Sequence, residues 1–241
     1  MFTGPNIVTE GLILALDAGN KKSYPGSGNT WTDLSGKGNN GILQNGATYN
    51  GSGLGNIQFD GSDDRVYTTS NLMSNLGVSS GLDNDVPYTM ESFFKIHTNP
   101  TGIAESGGYS IMGHASTGGI GMQVFDDDGG IHINFGYRSN SNTTFTGQSI
   151  STNRWYHVVC TRTTGGTSST IVCYVDGISI GSLTQDLRVD YTTAQFQIGD
   201  SESRIGNLDG NIAIAKVYNR ALTSQEVQQN YNATKSRFGL T

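Results

Sequence analysis

The sequence predicts an all-β fold, in which two antiparallel sheets form a sandwich and one short helix follows near the C-terminus. About a dozen short apolar segments recur along the chain, separated by turns of Gly, Asn, Asp and Ser. The composition agrees, because 34 Gly against 4 Pro favour strands joined by tight turns over helices. Frequent Tyr, Phe and Trp exclude a disordered chain. The length of 241 residues suits a single domain, residues 1–241, with its own core.

The first half of the chain contains five of these strand segments. The longest covers residues 88–97, and its alternation places Met90, Ser92, Phe94 and Ile96 on one face. The others are shorter apolar runs bounded by Gly and Asn turns. They cover residues 11–17, 41–46, 55–60 and 64–69.

The second half continues the same pattern, first as a meander and then as a hairpin. Trp155 begins the first hairpin strand and is predicted to anchor the contact between the two sheets. Asp176 and Gly177 form a two-residue turn between consecutive strands. The predicted strands cover residues 109–112, 121–125, 130–137, 155–162, 170–175, 178–183, 196–199 and 210–218.

The two cysteines, Cys160 and Cys173, are predicted to face each other across this hairpin. Two thiols are too few for a disulfide framework or a structural zinc site. In a reducing compartment both would stay free and act as small hydrophobic groups. The same register pairs Val158 with Val175 and Arg162 with Ile171.

One helix is predicted after the last strand. Thr223 and Glu226 have the spacing of a capping box, in which each side chain satisfies a free backbone amide. The helix would run to about Ala233 and close one end of the sandwich. Residues 1–9 and 235–241 lie outside these elements, so they are predicted to be terminal arms that order on docking.

Four segments resemble the laminin G-like, concanavalin A-like lectin/glucanase domains. Their order and spacing match that family over nearly the whole chain, and the resemblance implies a jelly-roll sandwich. It does not imply one function, since the fold includes lectins, glycosidases, adhesion modules and virus structural proteins. The segments are residues 14–17 with 31–41, 59–66 (FDGSDDRV), 155–159 with 173–177 (WYHVV and CYVDG), and 210–222.

A narrower resemblance lies in three short segments, residues 14–20, 23–26 and 230–238. Their sequences are similar to those of single-module virion proteins of tailed marine and cyanobacterial phages. This resemblance implies a non-enzymatic virion subunit, either a capsid decoration or cement protein or a tail-associated protein. Its partners would be other virion proteins, such as a major capsid or tail protein. The alternative is a carbohydrate-binding, lectin-like module for receptor binding or adhesion, whose partner is a cell-surface glycan.

The sequence lacks the residue patterns that catalysis on this fold requires. A retaining glucanase needs two carboxylates about 5–5.5 Å apart, which a strand would carry in a Glu-x-Asp-x-Glu pattern. No Glu stands in such a pattern, no two His have metal-ligand spacing, and no nucleophile elbow or phosphate loop occurs. We therefore predict no catalytic residue and no organic cofactor. The residues concerned are Glu10, Glu91, Glu105, Glu202 and Glu226, and His97, His114, His132 and His157.

Two Asp clusters on predicted turns are the metal candidates. Carboxylate oxygens bind Ca²⁺ at about 2.3–2.6 Å, and some domains of the resembled fold bind calcium at a rim. The alternative is a solvated turn, where Asp accepts hydrogen bonds from its own backbone. The clusters are Asp63 with Asp64, and Asp126 with Asp127 and Asp128.

Four aromatic residues near predicted loops are candidates for stacking on a sugar or on a protein partner. The alternative for each is ordinary packing inside the sandwich. They are Tyr109, Tyr137, Tyr191 and Phe145.

Charge and hydropathy limit the remaining partners and the location. The net charge is −6, and no basic stripe indicates nucleic acid. No apolar run is long enough to span a membrane. The N-terminus has no secretory signal pattern, so we expect the protein either to stay in the cytosol or to leave it by a route that needs no signal peptide. The phage resemblance implies the second alternative, with synthesis in a host cytoplasm and incorporation into a virion.

Overall fold

A computed structural model describes residues 6–52, 55–100, 108–114, 119–127, 130–138, 141–200 and 206–241. These residues form two eight-stranded antiparallel sheets, which confirms the predicted all-β sandwich. In chain order the strands are β1 (Leu12–Asp17), β2 (Thr30–Trp31), β3 (Gly41–Gln44), β4 (Thr48–Asn50), β5 (Asn56–Asp60), β6 (Arg65–Thr68), β7 (Tyr88–Ile96), β8 (Gly108–His114), β9 (Gly121–Asp127), β10 (Gly130–Arg138), β11 (Ser141–Ile150), β12 (Tyr156–Arg162), β13 (Ser169–Val175), β14 (Ile178–Gln185), β15 (Phe196–Ile198) and β16 (Asp209–Tyr218). The α-helices are α1 (Met73–Leu76) and α2 (Ser224–Thr234).

The strand order differs strongly from the chain order in both sheets. The first sheet runs β14-β13-β12-β7-β16-β5-β4, and β1 pairs with the second half of β16. The second sheet runs β11-β10-β9-β8-β15-β6-β3-β2. β15 therefore lies between β8 and β6, which places residues distant in sequence side by side on one surface.

The main core fills the space between the sheets. On β7 the predicted inward face is confirmed, because Met90, Phe94 and Ile96 belong to this core and are fully buried. On β10, Ile133 and Phe135 occupy the equivalent inward positions of the second sheet. Alternate residues of these strands therefore point to the outside of the sandwich.

The hairpin of β12 and β13 has the predicted register. Cys160 is paired with Cys173, and their sulfur atoms lie 3.1 Å apart as free, buried thiols. Burial, with the neighbouring thiol adding to it, raises the pKa of Cys160, so the thiol stays uncharged. Asp176 and Gly177 both have positive φ, 50° and 78°, as the two-residue turn requires.

Helix α2 begins with the predicted capping box, since Thr223 Oγ1 accepts from the Glu226 backbone and the Glu226 carboxylate accepts from Thr223 N. Its predicted place at one end of the sandwich is wrong. The helix lies on the outer face of the first sheet, where Val227 packs with Val159 and Tyr218. These strand residues are apolar on the outward face, so a second layer of chain is needed to bury them.

The predicted C-terminal arm, residues 235–241, is also wrong. Lys235–Phe238 forms a 3₁₀ turn, and the Phe238 ring stacks on Phe93 with centroids 4.5 Å apart. The buried aromatic ring fixes the segment on the first sheet. Of the N-terminal arm, residues 1–5 lie outside the described residues, whereas Val8 is buried in the layer above the first sheet.

Trp155 does not anchor the contact between the sheets. The strand begins one residue later, at Tyr156, and Trp155 packs on the outer face against Phe238 with ring centroids 5.0 Å apart. The fully buried tryptophan of the core is Trp31 on β2. In the described part of the chain, no helix is long and apolar enough to cross a membrane.

Candidate functional site

The outer face of the second sheet carries a row of polar side chains that run across four strands. Asn134 is paired with Gln123 on the neighbouring strand and with Thr144 on the other side. Gln123 is paired in turn with Ser110. Directly opposed residues of adjacent strands share a face, and the intervening residues face the core. These four side chains therefore form one polar band across β11, β10, β9 and β8.

A second row continues this surface toward β3. Gln197 on β15 is paired with Tyr67 on β6 and with Gly113 on β8, and Gly113 is paired with Gly121. The two glycines contribute no side chains between the Gln123 and Gln197 positions. This arrangement places amides on both sides of a strip of bare backbone, with the half-buried Tyr67 ring beside it.

The amides of this face are buried and incompletely hydrogen-bonded. Gln123, Asn134 and Gln197 are 3%, 5% and 3% exposed. Asn134 Nδ2 donates to Thr144 Oγ1 at 3.1 Å, which fixes the orientation of the amide. Asn134 Oδ1 and Gln197 Oε1 have no hydrogen-bond partner among the described residues. A buried acceptor without a donor costs free energy, which any hydrogen-bond donor that reached the oxygen would recover.

Charge on this face is balanced locally. Arg65 on β6 is paired with Gln44, and its guanidinium lies 3.5 Å from Asp200 Oδ2. Because Arg65 has a carboxylate partner, the described part of this surface offers hydrogen bonds without an unpaired guanidinium to attract an anion. Such a surface suits a neutral, hydroxyl-rich ligand.

The aromatic residues predicted to stack on a ligand are mostly not available. Tyr109 and Phe145 are 2% and 3% exposed and belong to the core between the sheets, so they have a packing role. For Tyr137 the structure describes only the backbone in β10. Tyr191, 37% exposed, remains accessible in the loop before β15.

The first predicted Asp cluster is brought together, with one addition. Asp60 joins Asp63 and Asp64, and one carboxylate oxygen of each lies within 4.8 Å of the others. Asp64 is 4% exposed, and its Oδ2 accepts from Asp60 N at 3.0 Å while Oδ1 has no partner among the described residues. Burial, together with the charges of Asp60 and Asp63, raises the pKa of Asp64 despite the opposing backbone hydrogen bond.

Three carboxylates on a turn are the ligand type that Ca²⁺ prefers. Calcium at Asp60, Asp63 and Asp64 stays a prediction, since hydrogen bonds within the turn also use these groups. In the second cluster, Asp126 is half-buried on β9, and only the backbone of Asp127 is described. Asp128 lies outside the described residues.

The four histidines occupy separate places in the described structure. His97 contacts Asp209 Oδ1 at 3.2 Å and Asn211 Oδ1 at 2.6 Å. His114 is buried, and desolvation lowers its pKa to about 4 against two opposing backbone hydrogen bonds. His132 lies on the outer face opposite Phe125. His157 belongs to a buried cluster that the sequence patterns did not reveal.

A buried ionic cluster lies beneath α2 on the outer face of the first sheet. Glu91 Oε1 accepts from Lys216 Nζ at 2.8 Å and contacts His157 Nε2 at 3.2 Å. Glu91 Oε2 accepts from Asn230 Nδ2 at 2.6 Å. Burial alone would raise the pKa of Glu91, but the Lys216 ammonium and His157 outweigh it and lower the pKa to about 2. Of the other glutamates, Glu226 caps α2, Glu10 is exposed, and Glu105 and Glu202 lie outside the described residues.

The comparison with protein families identifies the superfamily of the domain that carries this site. A family model described as the concanavalin A-like lectin/glucanases superfamily matches residues 60–228. The chain belongs to this superfamily. The match includes β6, β8 to β11 and β15, and thus all the strands that carry the two polar rows on the outer face of the second sheet. A comparison of the sequence with curated proteins gives no match.

Several solved structures have a similar fold at low sequence identity to this chain. The binding domain of Paraclostridial Mosquitocidal Protein 1 has a TM-score of 0.67 at 15% identity, covering 96% of this chain and 56% of that chain. Domain 4 of AbnA, an extracellular arabinanase from Geobacillus stearothermophilus, in complex with arabinotriose, has a TM-score of 0.65 at 16% identity, covering 91% and 98%. A Trypanosoma rangeli sialidase in complex with the inhibitor DANA has a TM-score of 0.62 at 16% identity, covering 96% and 34%.

The chain therefore spans about half of the mosquitocidal binding domain and a third of the sialidase, but almost all of the arabinanase domain. At these identities the likeness establishes the shared fold. The comparisons give no support to the resemblance to phage virion proteins.

Proposed function

We propose that this chain is a carbohydrate-binding module that holds a neutral glycan on the outer face of its second sheet. The observation that carries the proposal is the pair of buried amide oxygens, Asn134 Oδ1 and Gln197 Oε1, which have no hydrogen-bond partner within the described ranges. Amide side chains both donate and accept, which matches the hydroxyl groups of a sugar. Tyr67 on β6, which is paired with Gln197, supplies a ring on which the apolar face of a sugar could stack.

The structural neighbours support this proposal as fold relatives. One is a domain in complex with arabinotriose, and others are toxin binding domains. The ion pair of Arg65 with Asp200 favours a neutral glycan over an acidic one, because this guanidinium already has a carboxylate partner. We keep catalysis out of the proposed function, because the polar face offers amides and an ion-paired carboxylate in place of a pair of free carboxylates.

Isothermal titration calorimetry with arabinotriose, xylotriose and sialyllactose tests the proposal. We expect saturable binding of a neutral oligosaccharide, weakened about fivefold to tenfold in Asn134→Ala and in Gln197→Ala, the value of one lost hydrogen bond each. Gln228→Ala is the matched control, because it removes an exposed amide on α2. Tighter binding of sialyllactose, or neutral binding that is unchanged in both face variants, would contradict the proposed site.

A further inference from the structure

Beneath α2, a lysine amine and an asparagine amide share the two oxygens of one carboxylate. Lys216 Nζ lies 2.8 Å from Glu91 Oε1, and Asn230 Nδ2 lies 2.6 Å from Glu91 Oε2. The three residues are 4%, 0% and 0% exposed in the order Lys216, Glu91, Asn230. The amine and the amide are thus separated by one carboxylate and two hydrogen bonds, in a site closed to bulk water.

Rigid elements hold the three side chains in place. Lys216 and Glu91 are directly paired across β16 and β7, so strand register alone brings the amine to the carboxylate. Asn230 is fixed by the packing of α2 on the same face, since neighbouring Val227 and Tyr231 are buried on this sheet. A constellation carried by a sheet and a docked helix keeps its geometry better than one carried by loops.

The amide of Asn230 also has a donor at its oxygen. The Val8 backbone N–H donates to Asn230 Oδ1 at 2.8 Å. A backbone N–H in this position stabilises negative charge that develops on an amide oxygen when a nucleophile adds to its carbon. On the nitrogen side, Asn230 Nδ2 also donates to Tyr218 Oη at 3.0 Å.

We propose that Lys216 and Asn230 form an intramolecular isopeptide bond, with Glu91 as the proton carrier and Val8 N–H as the oxyanion donor. The cluster contains the four groups that this amide exchange needs: a nucleophilic amine, an acid–base, an amide carbon and a donor for the oxyanion. No oxidant, metal or cofactor takes part.

The exchange conserves all atoms, charges and electrons. Glu91 takes a proton from the Lys216 ammonium, and the free amine adds to Asn230 Cγ while the carbonyl electron pair moves onto Oδ1. Glu91 passes its proton to Nδ2 and the Cγ–Nδ2 bond breaks as the carbonyl re-forms. Ammonia leaves, and the surplus proton of Nζ passes to Glu91, which ends uncharged.

Geometry favours these steps. The charged pair is the resting state, because, against the opposing effect of burial, Lys216 and His157 lower the pKa of Glu91 to about 2. The 2.8 Å hydrogen bond lets the proton cross directly from Nζ to Glu91 Oε1 as the amine attacks. The Lys216 amine and the Asn230 amide are both held by the Glu91 carboxylate. Their reaction is therefore intramolecular and needs no bimolecular encounter. Ammonia lost to solvent does not return at low concentration, which makes the exchange irreversible.

The link would join α2 covalently to β16. Both cysteines are free thiols, so the described chain has no disulfide for this purpose. An amide between Lys216 and Asn230 would hold the C-terminal layer on the first sheet, where Phe238 and Val227 already pack.

Intact-mass spectrometry of the purified, folded chain tests this proposal. We expect a mass below that of the sequence by one ammonia, and a tryptic map in which the peptides of Lys216 and Asn230 are joined. The sequence mass after prolonged incubation of folded protein would overturn the proposal. Loss of one water would place the bond on Glu91, and conversion of Asn230 to Asp without a cross-link would show hydrolysis; each overturns it too.

Variants separate the chemistry from the packing. Lys216→Arg and Glu91→Gln should retain the full sequence mass, and Asn230→Asp should lose water in place of ammonia. Lys95→Arg on β7 is the matched control and should lose ammonia as the wild type does. If a variant fails to fold, the tryptic map of the wild type still decides whether the bond exists. An ammonia loss that persists in Lys216→Arg would also refute the assignment.

Discussion

Replacement of Phe238 by Ala should destabilise the protein substantially, because the C-terminal segment is part of the packed structure. Phe238 is 7% exposed, and its ring lies 4.5 Å from Phe93 and 5.0 Å from Trp155, centroid to centroid. Loss of a buried Phe ring costs about 3–5 kcal/mol. The segment lies near the chain end and can partly relax, so we expect about 3 kcal/mol, which corresponds to a fall in Tm of about 6–12 °C at this chain length.

Guanidinium denaturation followed by tryptophan fluorescence measures this change. Ser236→Ala is the control, since Ser236 is exposed in the same 3₁₀ turn and should change the free energy of unfolding by less than about 0.5 kcal/mol. A loss below about 1 kcal/mol in Phe238→Ala, at an unchanged denaturant slope, would refute the reasoning and restore the interpretation of this segment as an arm.

Three further predictions concern single positions, and each is measured by equilibrium denaturation. Gly199→Ala should lower the free energy of unfolding by about 2 kcal/mol or more. The reason is that φ is +82° at Gly199 and the new Cβ would lie 2.3 Å from the Phe59 ring. Gly28→Ala is the control for backbone strain alone, because Gly28 has φ +86° and open space around it. Thr223→Ala should lower the free energy of unfolding by about 1 kcal/mol through loss of the α2 cap. Thr223→Ser should retain most of the stability that the cap provides. For His114, the folded-state pKa of about 4 lies below the ordinary 6.5, so the unfolded chain binds more protons below pH 6.5. Stability should therefore fall by about 3 kcal/mol from pH 7 to pH 4, and His114→Gln should lack that part of the fall.

The strands that sequence patterns missed show what those patterns detect. β11 is ten residues long, yet it was not predicted, because its sequence SNTTFTGQSI has few apolar residues. Only Phe145 and Ile150 of its described side chains are buried in the core. β2 and β4 have two and three residues, which is too short for an alternation to appear.

The polar face could not be predicted for a related reason. Gln123, Asn134 and Gln197 are ordinary polar residues of alternating strands, and only strand order makes them neighbours. Gln197 reaches this surface because β15 enters between β8 and β6. The Glu91 cluster has the same character, since Glu91, Lys216, His157 and Asn230 come from β7, β16, β12 and α2.

The sequence by itself determined the features that depend on neighbours in the chain. Period-two alternation determined the inward face of β7, and the Asp176-Gly177 turn determined the hairpin of β13 and β14. Thr223 with Glu226 determined the start of α2. Only the tertiary structure decided where α2 and Phe238 dock, which face carries the amides, and which carboxylate meets Lys216. The physical reason is that local dihedral preferences and side-chain periods act over a few residues. Strand order and layer packing are instead set by burial of apolar surface between distant segments, which no local pattern records.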